Sequence, residues 1–133
     1  MALEISTYRK SQIANAEFGK VTPVLTDNFQ LKLFSNTVSL AGVGTELTGG
    51  GYAALTIANN LTNFPATTNG VKTNAVALQM ATLSADSLEV VSAGLFDLAT
   101  GELLYRKVFA VPFVIANGSF FILSVGDLRF EQT

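Results

Sequence analysis

Apolar and polar residues alternate along most of this chain. Phe29, Leu31 and Leu33 fall on one side of an extended segment with Gln30 and Lys32 on the other, the period of a half-buried β-strand. Tyr52, Ala54 and Thr56 alternate with Ala53, Leu55 and Ile57, and Val76, Leu78 and Met80 with Ala77, Gln79 and Ala81. Runs rich in Val, Ile, Phe and Leu cover 88–96, 102–109, 111–116, 119–125 and 128–131, so the pattern predicts eight short strands. The exception is 4–18, where Ile5, Tyr8, Ile13 and Ala16 recur at roughly helical spacing, with Ser6 or Thr7 as N-cap and Gly19 as a stop. A short helix with a thin apolar stripe is expected there, leaning on the main body or on a neighbouring subunit.

The punctuation between strands is specific at two places. Asp97-Leu98-Ala99-Thr100-Gly101 and Ala116-Asn117-Gly118 each separate two apolar runs and read as hairpin turns, because Asn and Gly tolerate the positive φ that tight turns demand. With no helical stretch between the strands, parallel crossovers have no room. The expected fold is therefore all-β, an antiparallel β-sandwich of jelly-roll type spanning 21–133, preceded by an N-terminal helical arm over 1–20. Segments 35–51 and 59–74, rich in Gly, Thr and Asn, read as long loops.

Composition narrows the function. At 133 residues the chain has the mass of one domain. Only 14% of residues are charged against 49% hydrophobic, and a surface so short of charge suits a protein that hides part of its exterior against other subunits. The eight basic residues are scattered and the net charge is −2, so no stripe exists for nucleic-acid phosphates. Nothing approaches the 18 consecutive apolar residues of a membrane helix, the longest run being 108–116 with Pro112 inside it. The first ten residues lack the basic and apolar regions of a secretory signal.

Neither His nor Cys occurs, which removes the commonest general base, thiolate nucleophiles, disulfides and ordinary zinc sites. The carboxylates stand singly, without the Asp-x-Asp spacing of a calcium loop, and Asp97 and Glu102, which flank one turn, read as capping groups ahead of a glycosidase pair. Gly42 to Gly51 superficially resembles a phosphate loop but ends in a strand instead of Lys-Ser/Thr and a helix. Gly49, Gly50 and Gly51 are therefore expected to permit a sharp bend or close backbone approach. The ten Phe and three Tyr mostly occupy strand positions and read as core. No cofactor, metal or catalytic residue is expected.

Gly44-Thr45-Glu46-Leu47-Thr48-Gly49-Gly50-Gly51-Tyr52, Asn63-Phe64-Pro65-Ala66, Gly70-Val71-Lys72-Thr73-Asn74-Ala75, Ala93-Gly94-Leu95-Phe96-Asp97, Thr100-Gly101-Glu102-Leu103-Leu104-Tyr105 and Gly126-Asp127 follow one another in this chain. In order and spacing they resemble a family of small tailed-bacteriophage virion proteins, commonly labelled tail fibre protein. The chain has Leu88-Glu89-Val90-Val91 where that family usually carries Trp-Gly, and its Gly-Asp lies nearer the end than is usual. The resemblance implies a non-enzymatic structural protein of the virion, assembled in the host cytoplasm.

Within that class the expected function is a capsid decoration or cement protein, a homo-oligomer and specifically a trimer, contacting the major capsid protein or other virion proteins. The alternative is a tail fibre or baseplate-associated adhesin that binds a host receptor, for which Tyr52, Phe64 and Tyr105 are the aromatic candidates. The expected interface residues are Ile5, Tyr8 and Ile13 in the arm, Gly49, Gly50, Gly51 and Tyr52 in the first loop, and Asn63, Phe64 and Pro65 in the second. Backbone groups of those loops would add to a neighbour's sheet edge.

Overall fold

The structure is a computed structural model that describes residues 2–67 and 69–131. Helix α1 (Thr7–Glu17) is flanked by strand β1 (Glu4–Ile5) and followed by β2 (Asn28–Phe34), β3 (Leu55–Ala58), β4 (Val71–Thr73), β5 (Leu78–Gln79), β6 (Leu88–Asp97), β7 (Leu103–Ile115), β8 (Ile122–Leu123) and β9 (Arg129–Glu131). Strands β1, β7, β6, β2 and β3, in that order, form a five-stranded antiparallel sheet, and β4–β9 and β5–β8 form two antiparallel ribbons. The fold is all-β with one short helix. Its second layer is two ribbons, where a jelly roll would have a continuous sheet.

Alternation places the core. On β2, Phe29, Leu31 and Leu33 are buried and meet Ala93 and Leu95 of β6, Leu104 and Ile115 of β7, and Ile57 of β3. Leu78 of β5, Leu123 of β8, Met80, Leu83 and Leu128 cover this face from the ribbon side, so one apolar cluster joins all three sheets. The opposite face carries a smaller core in which Phe34, Phe96 and Leu103 are roofed by Val38. Gly94 makes room for it, since a Cβ there would lie 2.6 Å from Phe96 and 3.0 Å from Leu103.

The central β6–β7 hairpin forms as its turn residues require. Gly101 takes φ 76°, and the Asp97 carboxylate accepts from the Ala99 N–H at 3.0 Å, a capping contact. The expected separate strands over 102–109 and 111–116 are one strand, because the interruption at Pro112 is absorbed as a bulge: Val91 alone faces residues 109–112 between the Val90–Phe113 and Ser92–Val108 pairs.

The turn at Asn117-Gly118 exists but closes no β7–β8 hairpin. Gly118 has φ 85° and Asn117 is not left-handed, so the primed turn of a two-residue hairpin does not form. Instead the Gly118 N–H donates to the Leu83 carbonyl, the Leu83 N–H to Ser119 and the Met80 N–H to Phe121. The chain crosses to the ribbon layer there, and the expected strands over 76–81 and 119–125 shorten to β5 and β8. Strand β1 lies inside the segment expected to be helix, and β4 inside the second expected loop.

Candidate functional site

The arm is built into its own subunit. Ser6, fully buried, caps α1 by accepting from the Arg9 N–H at 3.0 Å, while its own N–H donates to Leu104 and that of Thr7 to Leu40. Glu4 pairs with Arg106 at 2.7 Å, and the same guanidinium donates to the Val38 carbonyl at 2.7 Å, so one side chain pins both the arm and the 35–51 loop. Ile5 pairs with Tyr105 in the sheet, and Tyr8 packs against the core. Of the three arm candidates, Ile13 is the exposed one.

The first loop is a clasp. The Tyr52 hydroxyl accepts from the Leu33 N–H at 3.0 Å, beyond the last β2–β3 pair, and donates to Glu46 at 2.9 Å. Burial, reinforced by the Glu46 carboxylate and only partly offset by the Leu33 N–H, holds that phenol well above its ordinary range. Gly49, Gly50 and Gly51 all have positive φ. The Gly50 carbonyl accepts from the Ser84 N–H at 2.8 Å, and a Cβ on Gly51 would lie 2.8 Å from the Ser84 hydroxyl. Gly50 and Gly51 admit another backbone, as their sequence led one to expect, and that backbone belongs to the same chain, whereas a Cβ on Gly49 would meet nothing within 4 Å.

The second loop is likewise spent internally. Phe64 is buried, edge-on to Phe29 at 5.7 Å and to Phe130 at 6.0 Å between ring centroids, so its ring is part of the core. Asn63 donates to the Ala58 carbonyl at 2.8 Å, and Pro65 is exposed. Asn74, fully buried, donates to the Val76 and Ser124 carbonyls and accepts from the Leu128 N–H. Asp127 closes the Gly126 turn by accepting from the Ser124 N–H at 2.8 Å. The residues that carry the family pattern thus hold the body together.

The outer surface is apolar elsewhere. After α1 the chain turns through Gly19 and Lys20, both left-handed, into a strap with Phe18 84% exposed, Val21 57%, Val24 75% and Leu25 72%. A groove lined by Ile13, Ala16, Pro23 and Leu25, with Arg9, Gln12 and Glu17 also on its walls, runs between strap and helix. The β7 bulge presents Val111, 78% exposed. Of the expected interface residues Ile13 borders the strap and none lies on the bulge, although the Val-Thr-Pro-Val-Leu string at 21–25 and the 108–116 run were visible signals. Among the described residues no three His, Cys, Asp or Glu side chains converge on a metal-sized site, and no helix is long and apolar enough to cross a membrane.

An all-β body whose turns and loops serve its own packing, wearing apolar side chains outside, is a building block of an assembly. The chain belongs to the family described as podophage GP4 fiber I protein gp80, whose model matches residues 4–131. It is a structural protein of the phage virion. No curated protein matches the sequence.

Proposed function

We propose that the protein is a subunit of the tail-associated fibre apparatus, joined to further copies of itself and to neighbouring virion proteins through the 18–25 strap. The observation that carries this reading is the strap itself, with Phe18, Val24 and Leu25 each more than two-thirds exposed on a chain only 14% charged. The folded chain exposes 7358 Å², about a tenth more than the roughly 6,700 Å² expected of a compact monomer of this mass. Removal of such apolar surface from water is worth roughly 25 cal/mol per Å². The family description favours fibre over the capsid decoration expected from composition. A trimer remains the proposed stoichiometry, and the major capsid protein the partner under the decoration reading.

Sedimentation of the purified chain and of a Phe18→Ser, Val24→Ser, Leu25→Ser variant tests the association. The natural chain should sediment as an oligomer and the variant as a folded monomer; the same mass for both sinks the strap's role. A reconstruction of the whole particle separates the locations. Density for this fold below the portal supports the fibre reading, and density on the head replaces it with decoration.

A further inference from the structure

Two cavities meet beside α1. One, of about 370 Å³, is lined by Leu3, Ile5, Lys72, Tyr105 and Phe130 together with Thr67, Asn69 and Gly70, and the other, of about 200 Å³, by Arg9, Asn59, Phe64, Lys72, Tyr105 and Phe130 among others. Lys72, Tyr105 and Phe130 line both, so the two adjoin across these side chains as lobes of a groove, and the larger alone falls in the range of small-ligand sites. Its aromatic wall is rigid. Phe29, Phe64, Phe130 and Tyr105 contact one another edge to face in series, with centroid separations of 5.7, 6.0 and 5.1 Å.

The polar groups of this groove have one sign. Arg9 and Lys72 line the smaller cavity, and no carboxylate of the described residues lines either one. Two other cations of the chain are answered internally, Arg106 by Glu4 and Lys32 by Glu46. Lys72 has no hydrogen-bond or ion-pair partner among the described residues. Arg9 donates through Nη1 to Gln12 at 2.8 Å, while its Nε is shut off from solvent with no acceptor. Being sealed, that Nε is out of a groove ligand's reach, and a ligand oxygen would meet the outer nitrogens of the guanidinium instead. At the mouth of the larger cavity Thr67 and Asn69, both exposed, supply hydroxyl and amide groups.

From this combination we infer that the groove between α1 and the β4–β9 ribbon binds an acidic sugar residue. The apolar face of the ring lies on Tyr105 with its edge against Phe130, which stands at 74° to Tyr105, its carboxylate or phosphate meets Arg9 and Lys72, and its hydroxyls reach Thr67 and Asn69. A fixed aromatic wall suits a flat apolar face that carries hydroxyls at its edge, and two unanswered cations in a concave site select against neutral sugars. The inference does not depend on where in the particle the subunit sits.

Calorimetric titration of the full chain with glucuronic acid, glucose 6-phosphate, glucose and inorganic phosphate, with amide NMR shifts recorded alongside, tests it. At least one acidic sugar should bind saturably and about tenfold or more tighter than glucose, with shifts centred on Arg9, Lys72, Tyr105 and Phe130. The ratio of the two acids identifies carboxylate or phosphate as the preferred group. Lys72→Gln and Arg9→Gln should each weaken the acidic sugar by about tenfold and leave the circular dichroism spectrum and glucose binding unchanged. Equal binding of glucose and the acids, inorganic phosphate binding as well as either acidic sugar, no saturable binding of either acid, or acidic-sugar affinity indifferent to both substitutions would each overturn the inference.

Discussion

Replacing Asn74 with Leu probes the centre of the fold's second layer. The side chain is fully buried and makes three hydrogen bonds, to the Val76 carbonyl at 2.9 Å, the Ser124 carbonyl at 3.0 Å and from the Leu128 N–H at 2.9 Å. Leucine keeps much of the volume and removes all three. Val76 and Ser124 are exposed residues whose carbonyls can turn to water, so each lost bond there costs about 1 kcal/mol. The Leu128 N–H is sealed in the core, and leaving it unpaired costs about 1–3 kcal/mol. Allowing for the apolar surface that leucine adds, the net loss is about 2–4 kcal/mol, a large part of the total for a domain of this size. In urea, with a slope of about 2 kcal/mol/M, the midpoint should fall by about 1–2 M at unchanged slope. The chain has no tryptophan, so far-ultraviolet dichroism is the natural probe. Asn63→Ala, whose bond to Ala58 is exposed, is the control and should cost under about 1 kcal/mol. A midpoint shift at Asn74 no larger than that of the control would refute the assignment of Asn74 as a buried hub.

Three further outcomes follow from the same geometry. Ser92, fully buried, donates to the Asn36 carbonyl at 2.6 Å and accepts from the Val38 N–H at 3.0 Å, so Ser92→Ala should cost about 1–3 kcal/mol and accelerate amide exchange at Val38; unchanged exchange there would dissociate the 35–51 loop from Ser92. Gly94→Ala places a Cβ 2.6 Å from Phe96 in the smaller core and should lower stability by about 1–3 kcal/mol, seen as a fall of several degrees in thermal melting; an unaltered melt would mean that Phe96 moves aside freely. Because the folded state keeps the Tyr52 proton above the pH of about 10 at which an unfolded tyrosine releases it, stability should decline as pH rises past 10, and Tyr52→Phe should reduce that slope. Denaturant midpoints from pH 8 to 11 check this, and identical slopes in both proteins would remove Tyr52 as the cause.

The parts of the fold that sequence makes legible are those fixed by local rules. Period two on β2 identifies the inward-facing Phe29, Leu31 and Leu33, and Ser6 and Gly19 bracket α1. The Asp97–Gly101 turn forms where its residues require it. What sequence hides is partnership. Asn117-Gly118 carries the same local chemistry as a hairpin, yet Gly118 and Ser119 pair with Leu83, a choice made by the burial of Leu83, Leu123 and Phe121 against the sheet. The internal contacts of the expected interface residues are hidden for a related reason. Glycine triplets, a Tyr beside them and a Phe-Pro loop look available in a linear string, and only the folded chain shows Gly50 meeting Ser84, Tyr52 meeting Leu33 and Phe64 meeting Phe29. The strap was legible as a string of apolar residues but not as exposed, because exposure depends on the two left-handed residues that turn the chain away from α1.

The sheet edges bear on how such a subunit can join its neighbours. On one side β1 covers β7 only at Tyr105 and Arg106, and the strand beyond it carries Lys107, then a bulge with Pro112 inside, three features that blunt an edge against strand addition. On the other side β3 is four residues long and gives way to the turn that delivers Phe64 to the core. Backbone groups of the 35–51 and 59–74 loops, expected from sequence to extend a neighbour's sheet, are engaged within the subunit at Leu33, Ser84, Asn60 and Asn63. Association through the strap, as proposed, would then be a matter of side chains packing on side chains. It needs few charges and no unpaired strand, and it lets the molecule keep its low charge without offering an open β edge to aggregation.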